Sequence, residues 1–179
     1  GSSEILSLDL EKMDYRSRKK ASFATLEQTK PIDAVIERFP ILVGGKDRAG
    51  EFYRKSFGAL FAYVSHRIPE ITDALYKIDD AMKAGFGWEH GPFQIWDAIG
   101  LDKGLELVEA NSQQVAPWVN KMKANGVEAF YQVRDGATYF YDLDAGEYTK
   151  VPGQDAFIIL ENIRKSNEVF KNSGCVIED

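Results

Sequence analysis

From Pro31 onward, apolar residues recur at helical spacing. Ile32, Val35, Ile36 and Phe39 predict a helix that opens at Pro31, where a proline is pre-organised for a first turn, and stops at Pro40. Gly44-Gly45 makes a break. Tyr53, Phe57, Leu60, Phe61, Val64 and Ile68 then form one apolar stripe, which predicts a long helix with a core-facing side. Pro69 ends or kinks that helix. Ile71, Leu75, Ile78 and Met82 repeat the stripe, so a second helix packs back on the first, with Gly85 and Gly87 closing it as C-terminal caps. Pro92 opens another helix anchored by Phe93, Trp96 and Ile99, and Gly100 ends it. Leu101, Leu105 and Val108 carry a further helix. Val115, Trp118, Val119 and Met122 mark one more, closed by Asn125-Gly126.

The period then switches to two. Aromatic and β-branched residues flank Asp135-Gly136, a hairpin turn pair, and a second turn falls at Asp144-Ala145-Gly146. A small antiparallel β-meander near residues 128–151 follows. Phe157 to Leu160 reads as a helix turn or a buried strand. The fold class is therefore mainly α with one small sheet. Residues 31–165 form the helical domain. Residues 1–30 read as a polar arm or extended segment with a basic run, Tyr15–Lys20, that a solvated face explains. Residues 166–179 read as a linker toward a missing downstream module.

Composition narrows the function. The 179 residues are 44% hydrophobic and 28% charged, ordinary for a folded domain. Twenty-two basic against twenty-eight acidic residues give a net charge of -6, which argues against general binding to nucleic acid or a membrane surface. The one cysteine, Cys175, forms no internal disulfide, and a reducing, cytoplasmic setting is expected. Two histidines, His66 and His90, with that distant thiol make a poor zinc set, and no metal is expected. No G-x-S-x-G, P-loop or H-E-x-x-H pattern occurs.

The segment "KAGFGWEHGPFQIWDAIGLD" (Lys83–Asp102) places Gly85, Gly87 and Gly91 in a G-x-G-x-x-x-G spacing. A dinucleotide loop needs a strand, a tight turn and a helix N-terminus, so that backbone N–H groups face the pyrophosphate. Here the glycines follow a helix, and the segment reads as a corner between packed helices. His66 is the candidate for chemistry. It closes a long apolar helix beside Arg67 and before Pro69, where a polar side chain can line a cleft.

These residues carry a family resemblance. Phe61 to Asp102 resembles the C-terminal domain of the 3-hydroxyacyl-CoA dehydrogenases, in which a V-x-N-R motif precedes D-I-D-x-A-M and then G-F-G-x-P-x-G-P-F-E-L-x-D-x-x-G-L-D. This chain supplies Arg67, Ile78-Asp79, Ala81-Met82, Gly85-Phe86-Gly87, Gly91-Pro92-Phe93, Asp97 and Gly100-Leu101-Asp102. A weaker likeness runs from Trp118 to Tyr141. Three features depart: His66 replaces the family's asparagine, Glu89 and His90 replace the proline and the residue after it, and the basic residue of the terminal glycine motif becomes part of a longer hairpin.

The resemblance implies a helical domain of 6-phosphogluconate-dehydrogenase-C-terminal-like type. It also implies oxidation of a 3-hydroxyacyl-CoA to the 3-ketoacyl-CoA by NAD in fatty-acid β-oxidation. NAD would bind a Rossmann domain absent from this chain, and the isolated fragment would be inactive. His66 would be a catalytic or cleft residue orienting the substrate oxygen, with Arg67 beside it in an ion pair. Gly85, Gly87, Gly91, Pro92, Phe93, Trp96 and Asp97 would form the structural corner. The expected partners are the acyl-CoA, the missing Rossmann domain and a second copy in a homodimer. The rival readings are a non-catalytic helical interaction module on the same fold, and a 6-phosphogluconate or short hydroxyacid dehydrogenase.

Overall fold

A computed structural model describes residues 5–18, 21–154, 159, 162, 168–171 and 176–178. Before Pro31, where the pattern predicts no regular element, the chain pairs β1 (Leu6–Asp9) antiparallel with β2 (Asp14–Ser17) and then forms a short helix, α1 (Ala24–Thr29). A long-range contact holds α1 in place. Thr25 donates its backbone N–H (2.9 Å) and its hydroxyl (2.7 Å) to the Asp47 carboxylate.

The next helix, α2 (Val35–Gly44), corrects the prediction at both ends. Pro31 lies in the turn before it, and Pro40 lies inside it rather than stopping it. An internal proline forfeits one backbone bond and costs roughly 3 kcal/mol. Leu42 and Val43 beyond it are buried, and each such side chain contributes about 1.5–3 kcal/mol, so continuing the helix wins.

The predicted stripe from Tyr53 to Val64 lies on α3 (Arg48–His66), whose N-terminus is capped by Asp47 accepting the Gly50 N–H at 3.0 Å. Those donors from Thr25 and Gly50 hold the Asp47 carboxyl down at about 2. Ile68 stays in the core beyond the helix end. The second predicted helix begins later than its pattern suggests. Ile71 sits in the turn after Pro69, 69% exposed, and α4 runs Leu75–Phe86. Gly87 caps α4 in a left-handed conformation, φ 66°, whereas Gly85 lies within the last helical turn and caps nothing.

Three short helices complete the α layer: α5 (Pro92–Ile99), α6 (Leu101–Ala110) and α7 (Pro117–Ala124). Pro92 opens α5, Gly100 separates α5 from α6, and Asn125-Gly126 follows the end of α7, as read from the sequence, but Val115 precedes the last helix, which starts at Pro117. The core sits where α3, α5 and α6 meet. The Phe61 ring stacks on Trp96 at 4.5 Å between centroids, and Phe130 packs against both Phe93 (5.0 Å) and Trp96 (4.9 Å).

The meander is β3 (Tyr131–Arg134), β4 (Ala137–Asp142) and β5 (Glu147–Lys150), in spatial order β3-β4-β5. Tyr131 pairs with Phe140 and Tyr141 with Tyr148. Asp135 (φ 50°) and Gly136 (φ 74°) both take positive φ, as the tight hairpin turn requires. A last antiparallel pair joins β6 (Glu168–Lys171) to β7 (Val176–Glu178). Apart from Ile159, the apolar stretch from Phe157 to Leu160 lies outside the described residues, as does the thiol of Cys175. The chain is mainly α with a small β-meander.

Candidate functional site

The glycine-rich corner is organised by a carboxylate from outside it. Asp79, on α4, is 1% exposed. It accepts the N–H groups of Phe93 (2.9 Å) and Gln94 (3.1 Å) in the first turn of α5, and the Tyr131 hydroxyl at 2.9 Å. A helix N-terminus offers unpaired N–H groups and a positive dipole end, and here a neighbouring helix supplies the anion. Gly91 is required for the approach. A Cβ on it would lie 2.2 Å from the Asp79 Cβ and 2.4 Å from its Cα.

Asp97, in the last turn of α5, repeats the device toward the sheet. Its two oxygens accept the N–H groups of Phe130 and Tyr131, each at 2.8 Å. Tyr131 is thus held by both carboxylates, through its hydroxyl and its N–H. Burial raises the Asp79 carboxyl to about 6, against the pull of those donors. Burial likewise raises Asp97 to about 7, and the nearby Asp79 charge adds to the shift. The Tyr131 hydroxyl is pushed well above its ordinary value by burial and by the Asp79 charge. These carboxylates are committed to backbone and hydroxyl donors, so they join α4, α5 and β3 and leave no oxygen aimed at a substrate.

The same contacts test the corner as a cofactor site. The α5 amides that a pyrophosphate would need are already taken by Asp79, and the Gly87 turn ends a helix instead of beginning one. The Gly85–Pro92 segment does not fit a dinucleotide.

The predicted chemistry residues lie elsewhere. His66 is exposed at the end of α3, with Nε2 3.2 Å from the Gln114 carbonyl oxygen. Arg67 pairs with Glu70 at 2.7 Å and lays its guanidinium over the Tyr63 ring at 4.9 Å. His66 and Arg67 line one shallow groove with Ala62, Tyr63, Gln113 and Gln114. Below it, Ser65 is fully buried. Its hydroxyl accepts the Ala116 N–H at 2.9 Å, and its carbonyl accepts the Trp118 indole N–H at 2.8 Å, so the end of α3 is tied to the start of α7. His90 packs its half-buried ring edge-on to Phe39 rather than joining His66, and burial lowers its pKa. Among the described residues, no group of three or more His, Cys, Asp or Glu side chains could hold a metal ion.

Asp79 and Tyr131 are the residues that reading for chemistry passes over. The available signal is the first acid of the Asp79-Asp80 pair, beside Ile78 on an apolar helical face and ahead of a Gly-Pro helix start. That signal reports burial but names no partner.

Comparison with known proteins follows the same boundaries. Residues 58–129 match the family described as 3-hydroxyacyl-CoA dehydrogenase, C-terminal domain. Those residues belong to that family. The matched stretch runs from within α3 to the approach to β3, so it encloses Asp79, Gly91, Pro92 and Asp97. A "Probable 3-hydroxyacyl-CoA dehydrogenase" of Bacillus subtilis (strain 168) is 34% identical over 176 residues, 98% of this chain. The chain spans 22% of that protein's length. A Rickettsia prowazekii (strain Madrid E) protein described as a "fatty acid oxidation complex trifunctional enzyme" is 30% identical over 81 residues, 45% of this chain and 11% of its own. No solved structure matches the chain. No helix among the described residues is long and apolar enough to cross a membrane.

Proposed function

We propose that this 3-hydroxyacyl-CoA dehydrogenase C-terminal domain works within a longer, cytoplasmic, NAD-dependent enzyme that oxidises 3-hydroxyacyl-CoA to 3-ketoacyl-CoA in fatty-acid β-oxidation. The observation that carries the proposal is the sequence likeness to the Bacillus subtilis relative over nearly the whole chain, with the pinned corner inside the family segment. The domain supplies one wall of the acyl-CoA cleft and a homodimer face. His66 orients the substrate oxygen by donating a hydrogen bond, and Arg67 stiffens the helix end through Glu70 and Tyr63. NAD and the proton acceptor belong to a domain outside this sequence, so the isolated chain is expected to give no NAD reduction with a 3-hydroxyacyl-CoA.

A second reading, a helical module without a catalytic role, is favoured by one feature. His66 is exposed, and its ring nitrogen faces a backbone carbonyl, while the buried carboxylates serve the fold. His66→Ala in the full-length enzyme separates the two. A tenfold or greater fall in kcat/KM, at least ~1.4 kcal/mol of transition-state binding, supports the cleft role. An unchanged kcat/KM supports the module.

A further inference from the structure

The β1–β2 hairpin is built with its sides reversed. In the register Leu6↔Ser17, Leu8↔Tyr15, the side chains of Leu6, Leu8 and Tyr15 share one face. That face is open to solvent, at 47%, 42% and 67% exposure. Ile5, Leu10 and Met13 at its ends are more exposed still. The opposite face carries Ser7, Asp9, Asp14 and Arg16, with an Asp9–Arg16 ion pair at 3.1 Å, and there Ser7 and Asp9 are half-buried. A two-stranded hairpin is marginal in water by itself, and an apolar face turned outward leaves it without the burial that stabilises such units. Contiguous apolar patches of this kind mark contact surfaces.

We infer that the Leu6–Leu8–Tyr15 face docks on an apolar surface of another domain in the same polypeptide. The inference rests on the reading of this chain as part of a longer dehydrogenase. The occupant is argued from length. Likeness to the Bacillus subtilis relative covers 98% of this chain, the hairpin included, and that protein carries the matched stretch in 22% of its length. A covalently linked neighbour is therefore present at high effective concentration beside the hairpin, which favours it over a free partner.

The test compares amide hydrogen exchange over residues 5–17 in the 179-residue chain and in the full-length protein, with the α3 amides as the folding control. Exchange of the hairpin amides is expected to slow tenfold or more in the full-length protein. The pair Leu6→Ser and Leu8→Ser should abolish that slowing while α3 protection stays. Equal hairpin exchange in the two proteins overturns the inference. So does equal protection in a concentration-dependent dimer of the short chain, which would make the occupant a second copy. Neither readout depends on turnover, so failure here is distinct from failure of the dehydrogenase reading.

Discussion

Three glycines of the corner should respond to alanine in three different ways. Gly91→Ala places a Cβ 2.2 Å from the Asp79 Cβ, 2.3 Å from its Cγ and 2.4 Å from its Cα. The Cα belongs to α4, so no side-chain rotation relieves the clash and the two helices must separate. Overpacking of this sort costs about 1–3 kcal/mol. The separation also stretches the two N–H···carboxylate bonds that cap α5, worth roughly 0.5–2 kcal/mol as a cap. A loss of about 2–4 kcal/mol is expected. At Gly87 the added methyl meets open space, but φ is 66°, and a left-handed residue with a Cβ costs roughly 1–2 kcal/mol. At Gly85 the space is also open and the backbone is helical, so alanine should stabilise by about 0.5–1 kcal/mol. Urea unfolding followed by tryptophan fluorescence and far-UV circular dichroism orders the variants by midpoint. The expected order is Gly85→Ala, wild type, Gly87→Ala, then Gly91→Ala. A Gly91→Ala protein within about 0.5 kcal/mol of wild type would refute the account of the corner, because a neutral outcome at that contact means Asp79 is not where α5 begins.

Two further predictions concern buried polar groups. Asp79 and Asp97 have folded pKa values raised to about 6 and about 7 from 3.8, so their stabilising contribution is present below about pH 4 and is lost as pH rises through 6 and 7. Asp97→Asn should therefore flatten the stability change between about pH 5 and pH 7.5 by on the order of 1–2 kcal/mol, allowing for screening at its half-buried edge, and an unaltered slope in urea titrations would count against the assignment. Ser65→Ala leaves the Ala116 N–H buried without its acceptor and should cost about 1–3 kcal/mol in thermal unfolding, whereas a neutral result would mean the α3–α7 tie is dispensable.

Much of the α layer was legible because its information is local. The stripes on α3 and α5 follow from helical period, and Pro92, Gly100 and Asn125-Gly126 mark boundaries through backbone chemistry alone. The failures have tertiary causes. Pro40 is a helix breaker by local rules, but the burial of Leu42 and Val43 outweighs one lost bond. Met13 takes φ 49° in the β1–β2 turn, a conformation with no glycine or asparagine to announce it. The six residues of α1 are too short to show a stripe, and α1 is held by Thr25 and Asp47, which are remote in sequence. The site divides the same way. His66 was visible as the polar end of an apolar helix. The bond between Asp79 and the Tyr131 hydroxyl joins segments 52 residues apart and left no pattern to read.

The division between the retained and the altered motif positions follows from this geometry. Asp79, Gly91, Pro92 and Asp97 form or permit the contacts that join α4, α5 and β3, and changing one of them separates packed elements. His66 and Glu89 are exposed, and His90 meets the edge of Phe39 and the neighbouring Glu89 carboxylate, so replacement there leaves those joints intact. The motif that identifies the family is thus largely a record of how the corner is built. It establishes the fold strongly and the chemistry weakly, since a chain can keep every pin while its groove changes from an amide to an imidazole. Kinetics at His66, rather than further matching of the corner, is the measurement that bears on catalysis.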